Sequence, residues 1–350
     1  MKIRNITVVS LAWAMISGAA MADDTVHDPK AGHDMGTMHH QENKWMFEYR
    51  WMRMNMEGLL DGTDKVSASD ISGSNMSMTA PAAGKDYQMA PTKMTMDMHM
   101  LMAMRGISES LSVMGMLNYV RNEMDMVMYV EGMDPMLDSM SSGGLGDSML
   151  GVVYRLNPAL ELSMGLSVPT GSIDEKDTVM EMGGMMGMGS MTEVGKSRLP
   201  YFMQLGSGTY DVVPGVTYRV MSGVWEWGAK GTFTYRMGKN NNDYTLGNRV
   251  DVSGWTRYRI NSQVQMQGRL AFEKWGRIKG QDPEIDPMMS PDSDPDAQGG
   301  TRVDALVGIN AGLGDNHLLN FEVGAPVHQN LNGPQLKTQW LLSLSYHYML

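Results

Sequence analysis

Between residues 224 and 236 apolar and polar positions alternate without a break. Trp225, Trp227, Ala229, Gly231, Phe233 and Tyr235 share one face, and Glu226, Gly228, Lys230, Thr232, Thr234 and Arg236 share the other. Successive strand side chains point to opposite faces, so this period predicts a β-strand with one apolar and one charged side. The aromatics sit at the ends of the apolar stripe with small residues between them, the pattern of a strand that meets lipid outside and a watery lumen inside. The alternation recurs. Leu160, Leu162, Met164, Leu166 and Val168 oppose Glu161, Ser163, Gly165 and Ser167, and Leu319, Phe321, Val323, Ala325 and Val327 oppose Asn320, Glu322 and Gly324. Trp340, Leu342, Leu344, Tyr346 and Tyr348 oppose Gln339, Ser343, Ser345 and His347, and Val303 to Ala311 follows the same rule except at Leu306.

The pattern gives strands at 45–57, 94–106, 109–121, 144–156, 159–169, 208–220, 223–237, 246–260, 263–276, 300–312, 316–328 and 337–350. A tilted membrane strand needs ~9–11 residues, and these suffice. The connections alternate in length. Long or medium ones (58–93, 122–143, 170–207, 238–245, 277–299, 329–336) interleave with tight ones at 107–108, 157–158, 221–222, 261–262 and 313–315. A soluble sandwich has no reason to put every long loop at one end. The expected fold is therefore all-β: a transmembrane antiparallel β-barrel of about 12 strands, with short periplasmic turns and long outer loops. The terminal amphipathic strand, rich in aromatics up to Leu350, is a segment that outer-membrane insertion machinery would read.

The first 22 residues do not belong to this pattern. Lys2 and Arg4 precede an apolar run from Ile6 to Ile16, and Ala20-Met21-Ala22 forms a cleavage site. This is the layout of a secretory signal peptide over 1–22; the apolar run is shorter than the ~20 residues of a spanning helix. Residues 23–44 hold almost nothing apolar except methionine and are expected to be a disordered periplasmic leader before a barrel over 45–350. Loss of Lys2 and Arg4 with the signal takes the formal charge from −11 to −13, which argues against a nucleic-acid partner. Cysteine is absent, so no disulfide holds the fold. No nucleophile–base constellation, phosphate loop or zinc signature appears, and no enzyme is expected.

Methionine changes the picture most: 41 residues against 5 phenylalanines. In the strand KMTMDMHMLMAMR, Met94, Met96, Met98, Met100, Met102 and Met104 oppose Thr95, Asp97, His99, Leu101, Ala103 and Arg105. Two readings compete: a thioether ladder for a soft metal, or methionine standing in for leucine against lipid. Alternation favours the lipid face, because Asp97 and His99 would then meet water. In the first strand Trp45, Phe47, Tyr49 and Trp51 share a face that Arg53, Asn55 and Glu57 continue, with Met52, Met54 and Met56 opposite; it is expected to leave the bilayer near Met52 or to carry a bulge.

Other methionines fall in expected outer loops that lipid does not explain. One loop carries Met124, Met126, Met128, Met133, Met136 and Met140, another Met180, Met182, Met185, Met186, Met188 and Met191. Thioether ligation of copper(I) or silver(I), an oxidant sink, or a lineage-wide methionine bias would each account for them. The leader adds His27, His33, Met35, Met38, His39 and His40, a mixture of imidazole and thioether suited to copper in either oxidation state; a solvated polar tail is the alternative. It is not an amino-terminal copper clip, since Thr25 would stand third after cleavage. The candidate metal residues are thus these six with Met182, Met185, Met186 and Met188; no cofactor is otherwise required. The acidic loop with Asp282, Glu284, Asp286, Asp292, Asp294 and Asp296 lacks the glycine and final glutamate of a calcium loop and is expected to be a solvated anionic mouth.

Three segments carry a resemblance. GLGD at 144–147, PTGSID at 169–174 and LPYFMQLGSGTYD at 199–211 resemble the outer-membrane transporters of the meta-pathway of phenol degradation, over most of 45–350. The resemblance implies an outer-membrane barrel with a transport role and no catalytic residues. The methionine load and the His/Met leader are more similar to outer-membrane copper-resistance proteins. The expected function is an outer-membrane channel or passive transporter linked to copper or silver handling, its partners being outer-membrane lipid, a small-molecule or metal-ion substrate and the insertion machinery. A metal-binding protein anchored by a closed barrel, and a channel for small aromatic or hydrophobic compounds, are the alternatives.

Overall fold

The computed structural model describes residues 43–72, 87–128, 134–182 and 191–350, with backbone alone for 179–182 and 191–195. The expected signal peptide and nearly all of the leader, including His27, His33, Met35, Met38, His39 and His40, lie outside the described residues, as do Met185, Met186 and Met188. Met182 ends a strand whose side chains at that point are also outside them.

The strands of the main sheet, one three-residue edge strand aside, are β1 (Trp45–Gly62), β2 (Ala90–Gly106), β3 (Leu111–Met128), β4 (Met136–Leu145), β5 (Ser148–Asn157), β6 (Leu160–Val168), β7 (Tyr210–Ser222), β8 (Trp225–Met237), β9 (Arg249–Arg259), β10 (Val264–Trp275), β11 (Gly300–Gly312) and β12 (His317–Met349). Apart from β4 and β5, which both pair with β3, each pairs antiparallel with its sequence neighbour around a sheet that closes when β12 meets β1, from Met46↔Met349 to Gly62↔Leu331. Closure removes the open edges of the ring strands, while β4 pairs on one side only, with β3.

The last element is a hairpin. Its first arm pairs with β11 (Gly312↔Leu318 to Gly300↔Leu331) and its second with β1. Gly333 turns the chain at φ +83°. The Met349 N–H donates to the Asn316 carbonyl at 3.0 Å, and the Gln329 side chain bonds the Thr338 backbone twice at 3.0 Å. An antiparallel ring needs an even number of strands, and the two arms of β12 supply it.

β3 runs past the expected boundary at 121 and pairs with two successive strands, β5 at its periplasmic end (Met116↔Met149) and β4 at its outer end (Met124↔Met140). The fourth expected strand is therefore split at Gly146-Asp147. β1 likewise continues beyond Met52 in unbroken register with β2 from Trp45↔Arg105 to Glu57↔Lys93. The irregularity anticipated in β1 falls instead in its register with β12, beyond Asn55↔Trp340.

The outward face is the apolar one. Trp225, Trp227, Phe233, Tyr235, Leu162, Leu166, Leu150 and Val307 are exposed, while Glu226, Asp211, Asp304, Glu322 and Gln267 are buried on the opposite face. Among the described residues no helix is long and apolar enough to cross a membrane.

Candidate functional site: the lumen wall and its outer cap

Register fixes which face of β2 looks inward. Tyr49 pairs with Leu101, Phe47 with Ala103 and Trp45 with Arg105, and Trp45, Phe47, Tyr49 and Leu101 are all exposed. The odd positions of β2 thus face out, and Met94, Met96, Met98, Met100, Met102 and Met104 face the lumen. This reverses the lipid-facing assignment made from alternation alone. Asp97 and His99 tolerate the outer face because they are partnered there. Asp97 takes a bidentate pair from Arg53 (2.8 and 2.7 Å) and the Trp51 indole N–H (2.9 Å), and His99 Nδ1 bonds the Tyr49 hydroxyl at 2.8 Å. Directed partners lower the cost of polar atoms away from water.

The same parity places other methionines beside that column. Met52, Met54 and Met56 of β1 stand opposite Met98, Met96 and Met94, and Met114 and Met116 of β3 opposite Met104 and Met102. At one level the inward residues of five neighbouring strand segments read His347, Glu48, Met102, Met116, Met149. One level nearer the periplasm they read Met349, Met46, Met104, Met114 and Gly151. Gly151 and Gly165 make room for this wall: a Cβ at Gly151 would lie 2.7 Å from the Met114 methyl, and one at Gly165 would lie 2.9 Å from the Met149 sulfur.

The facing wall, built from β6 to β11 and the first arm of β12, is ionic. Arg269 holds Glu322 bidentately (3.0 and 2.7 Å), with Gln267 on the same carboxylate at 2.6 Å. Arg257 and the Trp255 indole share Glu226 at 2.8 and 3.0 Å, and Arg302 bridges Glu273 and Asp304 at 2.9 and 3.0 Å. Arg236 pairs with Asp211. Neutralised in place, these groups line the wall with fixed dipoles more than with net charge. Among the inward positions of β6 to β11 only Met221, at the periplasmic rim, is methionine.

The outer end of the lumen is capped. Met124, Met126, Met128 and Met140, expected in an exposed loop, instead form a buried cluster with Met89, Met94, Leu199 and Met203. Met124 and Met126 are each 1 % exposed. The strand extension turns them inward, and the residues at 89 and 199–203 fold down onto them. The segment at 87–89 is tied to the acidic loop by Gln88 N–H to Met288 O (3.0 Å) and Met89 N–H to Met289 O (2.8 Å).

The acidic loop is not the solvated mouth that its composition suggests, because Asp282, Asp292 and Asp294 are buried. Asp282 pairs with Arg198 at 2.8 Å and Asp294 accepts from the Tyr87 hydroxyl at 2.9 Å. Burial raises the Tyr87 hydroxyl above the usual phenol range, the Asp294 bond adding to it, and pushes the Asp292 carboxyl up to about 7. Glu284 is held below the usual carboxylate range by its hydrogen bond from Lys176 and the charge of Arg198.

The three family-like segments meet at the barrel rim. The Asp147 carboxylate accepts from Gly171 N–H (3.0 Å), Ser207 N–H (2.8 Å) and Ser207 Oγ (2.7 Å). Leu205 and Gly206 N–H donate to the Ser172 carbonyl at 3.0 and 3.1 Å. Gly171 and Gly206 touch backbone to backbone, a Cβ at Gly171 falling 2.7 Å from the Gly206 Cα. GLGD, PTGSID and LGSGTYD thus form one clamp that fastens the long loop to the strand break at Gly146-Asp147. Their spacing in sequence did not reveal this role.

Among the described residues no three His, Cys, Asp or Glu side chains converge as a metal cluster. Closed ring, apolar exterior and polar-to-thioether interior together define an outer-membrane β-barrel. No family model and no curated protein matches the chain. Among solved structures, a COG4313 outer membrane channel from Pseudomonas putida F1 is similar at TM-score 0.57 and 14% identity, covering 91% of this chain and 99% of that one. The P. putida toluene transporter TodX follows at TM-score 0.47 and 9% identity (88% and 90% covered), and the beta domain of the Bordetella autotransporter BrkA at 0.47 and 11% (88% and 100%). The first likeness supports the fold; at these identities the substrate must be argued from the wall itself.

Proposed function

We propose that this protein is an outer-membrane channel or passive transporter for small solutes, with a link to copper or silver handling. The observation that carries the channel reading is the two-faced lumen. An interior meant only as an anchor gains most from a dry, interdigitated core, yet here the inward residues at mid-barrel height, such as Met98, Met100, Arg269 and Arg257, remain partly exposed to the interior. The packed cap makes passage depend on rearrangement of the outer loops. Single-channel recording in a planar bilayer tests it: the reading expects discrete current steps, larger once the cap is loosened. A barrel that passes no current with the cap intact or loosened would be an anchor.

The copper or silver link rests on the chemistry of the leader (His27, His33, Met35, Met38, His39, His40) and of the loop at 182–188 (Met182, Met185, Met186, Met188). Competition of the detergent-solubilised protein against a Cu(I) chelator, with and without residues 23–44, reads it out. Loss of tight binding with the leader assigns capture to that segment, and absence of binding in both forms rejects the link. Transport of small hydrophobic compounds, the other reading, is favoured by the apolar character of the methionine wall and disfavoured by the ion pairs opposite it.

A further inference from the structure

We propose that the lumen-facing methionine wall is itself a soft-metal site, a thioether ladder that binds monovalent Cu(I) or Ag(I) at successive levels of the barrel. This deepens the metal reading and rests on it, but assigns the metal to residues other than the leader and the loop at 182–188. The strongest station is the row Glu48, Met102, Met116 and Met149, flanked by His347. Residues directly opposite across antiparallel strands have Cβ atoms ~4.5–5.5 Å apart, so three flexible thioethers there can converge on one ion. Thioether sulfur is a soft donor that favours Cu(I) and its like over hard cations.

The carboxylate in this row already has partners, and Arg50, one of them, stands opposite Met100. Glu48 is buried, bonded to Arg50 Nε at 2.7 Å and within 3.6 Å of His347 Nδ1. From this row the column Met100, Met98, Met96 continues toward the cap in steps of ~6.6–6.8 Å, the same-face repeat of a strand. It ends at Met56, Met94, Met124 and Met140, one level contributed by four adjacent strands.

The distribution of methionine separates this from packing or compositional bias. Bias would place methionine on the lipid face as readily as on the lumen face. The outward positions instead use leucine, valine, tryptophan, tyrosine and phenylalanine, with few methionines such as Met164 and Met266. Inside, methionine crowds β1 to β5 and is nearly absent from β6 to β11. An apolar lining would be served as well by leucine, which packs to similar volume with less side-chain freedom to lose.

The test is NMR of the full-length protein in micelles with ¹³C-labelled methionine methyl groups, titrated with silver nitrate alone. The proposal expects the Met102, Met116 and Met149 methyls to shift together, before or with those of Met98 and Met100, while outward Met164 and Met266 stay in place. Combined Met102→Leu, Met116→Leu and Met149→Leu conserves volume and should weaken Ag(I) binding at this row at least tenfold with the barrel spectrum intact. Deletion of residues 23–44 should leave the ladder shifts unchanged. Ladder methyls that do not move, or that move no more than Met164 and Met266, would overturn the proposal. Ladder shifts in a barrel that passes no current would uphold it and reject the channel reading instead.

Discussion

The rim clamp gives the sharpest energetic prediction. Asp147→Ala removes the acceptor of three hydrogen bonds, from Gly171 N–H, Ser207 N–H and Ser207 Oγ. Bonds to a charged group contribute roughly 1.5–3 kcal/mol each when buried. Asp147 is only half-buried, and solvent screening takes the contribution below that range, to about 1 kcal/mol per bond and about 3 kcal/mol in all. The loss falls on the cap, because the ladder bonds of the barrel do not involve this side chain. Native-state hydrogen exchange reads the difference directly. At ~1.4 kcal/mol per tenfold, the Gly171 and Ser207 amides should exchange about a hundredfold faster, while amides in β9 and β10 keep their protection. Asp147→Asn retains one carbonyl acceptor and should fall between. Exchange at Gly171 and Ser207 changed by less than about threefold would refute the clamp.

Other consequences follow from the same contacts. Gly206→Ala would place a Cβ 2.5 Å from both Asp147 Oδ1 and the Gly171 carbonyl; it should open the cap and raise conductance, whereas alanine at Gly151 should act on the lumen by displacing Met114. The cap should also be sensitive to pH through Asp292, whose carboxyl is raised to about 7 by burial. The buried form holds a proton that the exposed form releases near 4, so this group's contribution to the cap is complete below about pH 4 and is lost as pH rises through 7. Exchange protection at 290–294 should fall across that window in the native chain and stay level in Asp292→Asn. Arg269→Ala leaves Glu322 with Gln267 as its remaining partner among those described above; the pair is only partly buried, so the cost should fall below the roughly 3–5 kcal/mol of a fully buried pair, and reversal potentials should shift toward cation selectivity.

The barrel was legible because lipid favours apolar residues at outward positions over most of the span, so period 2 and the alternating loop lengths survive any substrate. The facing of β2 was not legible from β2. Both of its faces are ambiguous, methionine being apolar enough for lipid and Asp97 and His99 being polar enough for water. Only the register with β1 settles it, since Leu101 lies beside Tyr49, and Arg53 and Tyr49 provide the polar partners that let Asp97 and His99 face outward. The outer methionines were misjudged for a related reason. Past 121 the alternation continues but the apolar residues switch to the inward face, and β3 continues because β4 pairs with it and Met89, Leu199 and Met203 cover it, all long-range contacts. Asp292 and Asp282 read as a solvated run until the loop folds over the mouth and buries them. The GLGD, PTGSID and LGSGTYD segments were visible as a resemblance, and their shared contact explains why they occur together.

The central claim is that β2 turns its methionines to a conducting lumen. The chain has no cysteine, so single cysteines report cleanly. Met98→Cys and His99→Cys occupy adjacent positions on opposite faces of one strand, and each can be exposed to a membrane-impermeant thiol reagent during single-channel recording. Stepwise block at Met98→Cys with none at His99→Cys is the predicted result. Block at His99→Cys and not at Met98→Cys would place the methionines against lipid and contradict the account.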